Sequence, residues 1–176
     1  MNRMSVAELE KLIDAFQEPL VKHAFFITGS MQDAEDIVQE TFVKFYHQTP
    51  TLNEASKTKA YLYRMVHNAG IDCIRKKKQI QWVNLETAVN LPDEKLNGSI
   101  KKHQLHNEFL RIKKLLDNIP EEQSEVIRMR TISDLSFVDI ARILDLPVTT
   151  VKSRFKYGID KLRKQPGIKK EVYDEL

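Results

Sequence analysis

The sequence predicts an all-α fold composed of two small helical domains joined by a flexible linker. Only 5 of the 176 residues are glycine, and apolar residues nowhere alternate with polar ones at the period of two that marks a strand. Apolar residues recur instead at helical spacing from one end of the chain to the other. We therefore expect helices connected by loops and turns.

Three helices are predicted in the first domain, which we place at residues 1–82. The first helix is expected to end at Gly29, because glycine tolerates the left-handed conformation that closes many helices. Ser30 can cap the second helix. A polar, turn-rich stretch over 47–58 predicts a loop, and the third helix is expected from about residue 59 to residue 78.

A linker is predicted over residues 83–102, where helical periodicity fades. Pro92 and the Asn-Gly-Ser run at 97–99 favour a flexible connection there. We place the second domain at residues 103–176, with its apolar pattern resuming at Leu105.

The second domain contains a stretch that is typical of a helix-turn-helix. Ser136 and Asp139 resemble a capping box at the start of its first helix, and Pro147 cannot extend that helix. Asp145 occupies the position where the helix would close in the left-handed conformation, which aspartate tolerates. Thr149 is expected to cap the second helix of the motif.

That second helix is strongly basic. Between residues 149 and 164, six Lys or Arg residues stand against one acid, Asp160. Such cations can hold DNA phosphates while Thr, Ser and Arg side chains reach base edges in the major groove. The alternative is an ordinary bundle helix with a solvated basic face. The residues predicted to contact DNA are Thr149, Thr150, Lys152, Ser153, Arg154 and Lys156.

The predicted third helix carries a second nucleic-acid signal, because it sets cations beside aromatic rings. Such a surface suits single-stranded DNA, whose phosphates need neutralising and whose unstacked bases can lie on rings. The alternative is a solvated cationic helix end that complements the helix dipole, with the rings in the core. The positions expected to be exposed are Arg64, His67, Asn68, Arg75, Lys76, Lys77 and Lys78, with Tyr61, Tyr63 and Trp82 as the aromatic surface.

Composition excludes several classes of protein. The single cysteine, Cys73, excludes an internal disulfide, and the five histidines show no zinc-site spacing, so we expect neither metal nor cofactor. No apolar stretch approaches the roughly 20 residues that span a bilayer, and the first residues lack a secretory signal, which predicts a cytoplasmic protein. Residues 1–60 carry six basic and nine acidic side chains, whereas 61–110 carry eight and five, which suggests two kinds of partner.

Three ordered parts of the sequence resemble bacterial RNA polymerase sigma factors of the extracytoplasmic-function (ECF) group. Residues 20–46 resemble the core of conserved region two, and residues 59–77 are similar to the promoter −10 helix of the same domain. Residues 119–122, 133–136 and 147–154 look like the region-four domain. The third domain of the housekeeping sigma factors has no room in this chain.

The resemblance implies a protein that binds core RNA polymerase, recognises the −35 and −10 promoter elements and promotes DNA melting, without catalysing a reaction itself. The implied partners are the β′ clamp helices and β flap of the polymerase, promoter DNA, and an anti-sigma factor, which in this group is usually membrane-anchored. No small-molecule substrate is implied. The implied polymerase-binding residues are Asp33, Asp36, Ile37, Gln39, Glu40 and Phe42, and the implied −10 contacts are Arg64, His67, Asn68, Arg75 and Lys76. The 47–58 loop would capture a flipped base.

Two other classes of function compete with this interpretation. A dimeric helix-turn-helix regulator would act without polymerase, but it needs a dimer interface and the chain shows no heptad seam. A metal-dependent enzyme could hold Mg²⁺ through Asp33, Glu35, Asp36 and Glu40, but hard-cation sites normally converge from several elements and these carboxylates come from one helix. The predicted second helix could also be an ordinary bundle helix whose acidic face is simply exposed to solvent.

Overall fold

The structure is a computed structural model that describes residues 4–48, 55–85 and 100–165. All regular elements in these ranges are α helices, which confirms the predicted fold class. The helices are α1 (Val6–Thr28), α2 (Met31–Gln48), α3 (Ala55–Leu85), α4 (Ile100–Leu116), α5 (Glu121–Thr131), α6 (Phe137–Leu144) and α7 (Val148–Arg163). None of the helices in the described part is both long and apolar enough to cross a membrane.

Local sequence signals set several helix ends. Ser5 and Glu8 form a capping box at the start of α1, in which the Ser5 amide donates to Glu8 Oε2 at 2.7 Å and the Glu8 amide donates to Ser5 Oγ at 3.2 Å. Gly29 closes α1 with φ 72°, as predicted, and its amide donates to the Phe25 carbonyl oxygen at 2.8 Å. The Asp33 amide donates to Ser30 Oγ at 3.3 Å, which confirms Ser30 as the cap of α2.

The third helix is longer than the sequence predicted, since it begins at Ala55 and continues to Leu85. Part of the expected loop at 47–58 and the start of the expected linker are therefore helical. Tertiary contacts explain the early start, because Thr58 and Ala60 in the first turns are buried. The remainder of that loop and the middle of the expected linker lie outside the described residues.

Helices α1, α2 and α3 pack on one another, and α5, α6 and α7 form a second group. The two groups meet where α3 packs against α6. One continuous cluster of buried apolar side chains runs through both, including Leu62 and Val66 of α3 and Ile140 and Ile143 of α6. Helix α4 extends this contact, because the Phe109 ring lies 5.3 Å from the Phe25 ring.

Candidate nucleic-acid and protein interfaces

The helix-turn-helix forms as α6, a tight turn and α7. The Asp139 amide donates to Ser136 Oγ at 3.1 Å, which confirms the predicted cap of α6. Asp145 closes α6 in the left-handed conformation with φ 55°, also as predicted. The prediction that Thr149 caps α7 is wrong, because α7 begins at Val148 and its N-cap is Pro147, without a side-chain hydrogen bond. Thr149 therefore lies inside the first turn.

Helix α7 buries one face and presents a basic stripe on the opposite face. Val151, Gly158, Ile159 and Leu162 are buried against α5 and α6, and Phe155 packs on the same inner face. The outward stripe consists of the residues that fall off this spacing. The predicted exposure is confirmed for Thr149, Lys152, Ser153 and Lys156, whereas Thr150 and Arg154 are half-buried. Sequence reasoning missed Tyr157, which is 59% exposed among these residues. The signal was available, because position 157 falls off the apolar period formed by residues 151, 155, 159 and 162.

The angle between α6 and α7 depends on contacts that the sequence pattern did not reveal. The Phe137 ring packs edge-on against the Phe155 ring of α7, with centroids 5.4 Å apart. The guanidinium of Arg130 lies 5.4 Å from the centroid of the Phe137 ring, and its Nη1 donates to the Leu135 carbonyl oxygen at 3.1 Å. Arg130 thus joins the end of α5 to the start of the helix-turn-helix.

The predicted nucleic-acid face of α3 is only partly exposed. Arg64, Asn68, Arg75 and Lys76 face solvent, as predicted, and Arg75 Nη1 lies 3.1 Å from the carboxylate of Asp72.

Two residues of that predicted face point inward, so the expectation that they are exposed is wrong. His67 is 6% exposed and lies under α5, and Tyr63 is 2% exposed. These two residues are four positions apart, which places both side chains on the inner side of α3. Burial, with a smaller effect of the Asp134 carboxylate, raises the pKa of Tyr63 to about 12.

The residues of α2 that were predicted to bind polymerase likewise include both exposed and buried side chains. Asp36, Gln39 and Glu40 are exposed, whereas Ile37 and Phe42 are buried in the core with the inner face of the helix. Ile37 and Phe42 therefore support α2 from inside, and the expectation that they form part of its contact surface is corrected.

Two ion pairs accompany the α2 carboxylates. Glu40 Oε1 lies 2.8 Å from Lys44 Nζ, and Asp33 pairs with Lys77 of α3. Burial would raise the pKa of Asp33, but hydrogen bonds from the side chains of Lys77 and Ser30 outweigh that effect and lower it. The exposed carboxylates thus lie on α2, whose N-terminal end is held against α3 by the Asp33–Lys77 ion pair.

A groove of about 820 Å³ lies between α1 and α2, beside the exposed carboxylates. Its floor is apolar and includes Val43, which is 57% exposed, while Asp14 and Glu18 stand among the residues around it. An apolar groove with acidic neighbours suits an amphipathic helix that carries basic residues. Among the described residues, no three His, Cys, Asp or Glu side chains lie close enough to hold a metal ion.

Comparison with known proteins agrees with this division into two groups of helices. The family model Sigma-70 region 2 matches residues 12–80, and the model Sigma-70, region 4 matches residues 115–164. The ECF RNA polymerase sigma factor SigW of Bacillus subtilis (strain 168) is 29% identical over 168 residues, covering 88% of this chain and 86% of SigW.

Two solved structures share the fold. The sigma factor RpoE, in complex with the anti-sigma factor NepR from Bartonella quintana, matches with a TM-score of 0.65 and 22% identity, covering 90% of this chain and 96% of that chain. CnrH, in complex with the cytosolic domain of CnrY, matches with a TM-score of 0.62 and 20% identity, covering 90% of this chain and 87% of that chain. Both matches extend across the two groups of helices.

Proposed function

Because the chain belongs to the ECF group of RNA polymerase sigma factors, we propose a division of labour between its two groups of helices. The first domain, at residues 1–82, binds core polymerase and the −10 element, and the second domain, at residues 103–176, reads the −35 element. The observation that carries this proposal is the separation of charge, with exposed carboxylates on α2 and exposed cations on α7. Carboxylates repel DNA and suit a protein partner, whereas cations suit phosphate.

The polymerase surface in this proposal is the outer face of α2 together with the groove between α1 and α2. Asp36, Gln39 and Glu40 supply its exposed polar contacts. A β′ clamp helix with a basic and an apolar side would place its apolar residues on the groove floor near Val43 and its cations beside the carboxylates. The β flap would contact the second domain.

The −35 surface is the outward stripe of α7, and the −10 surface is the exposed edge of α3. On α7, cations fix the position of the helix on the duplex, while Ser153 and Arg154 reach base edges. On α3, Arg64, Asn68, Arg75 and Lys76 would hold the unpaired strand. His67 becomes accessible only when α5 moves away from α3, since it is buried in the present arrangement.

Promoter opening then needs no chemical step by this protein. Binding the unpaired strand more tightly than the duplex shifts the equilibrium toward the melted promoter. Each domain alone holds DNA weakly, and the polymerase raises the effective affinity by carrying both to one promoter. We place this activity in the cytoplasm, where core polymerase meets the chromosome.

An anti-sigma factor is the proposed regulator. RpoE and CnrH, which share the fold, were solved in complexes with the anti-sigma factor NepR and with the cytosolic domain of CnrY, respectively. We expect a comparable partner here, one that covers the polymerase-binding groove or the DNA-binding faces.

Run-off transcription with purified core polymerase on a genomic promoter library tests the proposed function. We expect transcripts that depend on the added chain and share two upstream sequence elements. Size-exclusion chromatography of the same mixture should show the chain eluting with the polymerase. A stable homodimer that ignores polymerase and supports no transcription would contradict the proposal and favour a helix-turn-helix regulator.

A further inference from the structure

Tyr157 is an exposed aromatic residue on a face of α7 that is otherwise polar and basic. It is 59% exposed, whereas Phe155, the other aromatic residue of α7, packs on the inner face of the helix. Single exposed apolar side chains are common on protein surfaces, so the position of this ring on α7 decides what it can do.

The position of Tyr157 follows from the helical repeat. It lies four residues after Ser153 and eight after Thr149, so the three side chains follow one another along the outward stripe, each about 6 Å farther along the helix axis. Thr149 and Ser153 are both exposed. A DNA groove that receives those two side chains therefore also meets the ring of Tyr157.

Buried neighbours hold the backbone beneath this ring. Gly158 and Ile159, the two residues that follow Tyr157, are buried, and Ile159 packs in one apolar cluster with Ile127 of α5. A tyrosine ring has only two side-chain torsions, so little conformational freedom is lost when it is covered. Helix α7 therefore offers DNA a preorganised apolar surface at this turn.

Cations flank this apolar surface. Lys156 directly precedes Tyr157 and Lys161 lies one turn beyond it, and both side chains are exposed. Such cations attract DNA phosphates and fix the position of a helix on the duplex, but they carry no sequence information. They bring the duplex against the ring, and the ring is left to distinguish the bases.

The chemistry of the major groove identifies what an apolar ring can recognise there. Adenine, guanine and cytosine are marked in that groove by hydrogen-bond donors and acceptors, whereas thymine also presents a C5-methyl group. Packing a ring against that methyl group removes apolar surface of both partners from water, which is favourable. An exposed ring on a DNA-reading helix therefore favours a thymine at the position that it reaches.

We propose that the Tyr157 ring packs against the C5-methyl group of a thymine in the −35 element, so that Tyr157 is a specificity-determining residue. The proposal rests on the proposed function of α7 as the reader of that element. It adds one apolar contact to a surface whose other predicted contacts come from hydroxyl-bearing or cationic side chains.

Uracil substitution in the promoter tests the proposal, because uracil differs from thymine only in lacking the methyl group. Holoenzyme is assembled from the full chain and core polymerase, and each thymine of the −35 element is replaced in turn. Affinity for the duplex is measured by fluorescence anisotropy. We expect one replacement to weaken binding about fourfold, the effect of one buried methyl group. Unchanged affinity at every thymine would overturn the proposal.

A double-mutant cycle assigns that methyl group to Tyr157. Tyr157→Ala should weaken binding to the thymine duplex about tenfold, and the same uracil replacement should then have no further effect. Tyr157→Phe keeps the ring and should retain the fourfold response. Leu110→Ala, which removes a 50% exposed apolar side chain from α4, is the matched control and should behave as the parent does.

Other contacts of the ring give different results. If Tyr157→Ala weakens binding but the uracil effect persists in full, the ring contacts sugar or phosphate and not the methyl group. If Tyr157→Phe binds as weakly as Tyr157→Ala, the hydroxyl group makes the contact. If Tyr157→Ala weakens holoenzyme assembly and not DNA binding, the ring contacts polymerase. Each of these outcomes overturns the proposal.

Failure of this inference and failure of the proposed function are distinguishable. A chain that does not assemble with core polymerase, or whose holoenzyme ignores the −35 element, overturns the proposed function. A holoenzyme that depends on the −35 element but shows no coupling between Tyr157 and any thymine methyl group overturns this inference alone.

Discussion

Gly158 of α7 packs directly against Ile127 of α5, so closely that a Cβ added at Gly158 would lie 2.7 Å from Ile127 Cδ1 and 3.2 Å from Gln123 Cβ. Both residues are buried, and Ile127 is among the core residues of the second domain. The absence of a side chain at Gly158 therefore sets how near the DNA-binding helix lies to α5. This contact determines the position of α7 within its domain.

Replacing Gly158 with Ala should destabilise the second domain. Alanine gains up to about 1 kcal/mol in helix propensity, but overpacking a core typically costs about 1–3 kcal/mol, and Ile127 is itself buried in that core. We expect a net loss of about 1 kcal/mol in the free energy of unfolding, measured by urea denaturation. Ile127→Val removes the clashing Cδ1 and should rescue Gly158→Ala in a double-mutant cycle. Equal or greater stability of Gly158→Ala alone would contradict this packing.

Replacing Ser136 with Ala should remove the cap of α6. The Asp139 amide then loses its acceptor at 3.1 Å, and loss of such a cap costs about 1 kcal/mol of stability. Thr149→Ala is the matched control, since Thr149 lies inside the first turn of α7 and is not its cap. The free energy of unfolding of both variants is measured by urea denaturation. An equal loss of this free energy in the two variants would refute the assignment of Ser136 as a cap.

Replacing Asp36 and Glu40 with Lys should weaken binding to core polymerase. Both carboxylates are exposed on the outer face of α2, and reversing their charge places cations where the proposed partner is basic. We expect at least a tenfold loss of affinity, about 1.4 kcal/mol, in a holoenzyme assembly titration. Glu10→Lys, at an exposed position on α1 outside the groove, is the control. Normal holoenzyme assembly by the double variant would show that the outer face of α2 does not bind polymerase.

Replacing Arg154 with Glu should abolish transcription that depends on the −35 element while leaving holoenzyme assembly intact. Arg154 lies on the outward side of α7, and a carboxylate there would face phosphates and the acceptor atoms of bases. Run-off transcription and assembly are measured on the same preparations. Lys114→Glu, an exposed charge reversal on α4, controls for net charge. Unchanged transcription by Arg154→Glu would exclude α7 as the reader.

Raising the salt concentration should weaken promoter binding by the holoenzyme steeply, because phosphate contacts release counterions. Lys152 is exposed on the α7 stripe, and Lys152→Ala should lower the slope of log affinity against log salt by about 0.9. The slope is measured by fluorescence anisotropy at several salt concentrations. A slope equal to that of the parent would show that Lys152 touches no phosphate.

Features encoded by neighbouring residues could be predicted from the sequence. The closure of α1 at Gly29, the left-handed Asp145 and the capping of α6 by Ser136 each depend on residues a few positions apart. The basic stripe of α7 could also be predicted, because the spacing of apolar residues within that helix shows which face points outward. These features need no knowledge of what packs beside the helix.

Features that depend on the packing of distant helices could not be predicted in the same way. His67 and Tyr63 stand in a polar, cationic helix, and they are buried by residues from other helices. The Tyr63 ring lies 5.1 Å from the His23 ring of α1, and His67 Nε2 lies 3.1 Å from Glu125 Oε1 of α5. The prediction at Thr149 fails because the turn after Asp145 is two residues shorter than the capping chemistry of Thr149 suggests, with Pro147 as the N-cap of α7.

The sequence by itself determined which segments are helical, where most of them end and which faces carry charge, because these depend on interactions within a few residues. Only the tertiary structure decided that His23 contacts Ser133, that His67 contacts Glu125 and that Ile127 packs directly against Gly158. Such contacts join residues far apart in the chain, and their existence depends on how close-packed side chains fill space between helices.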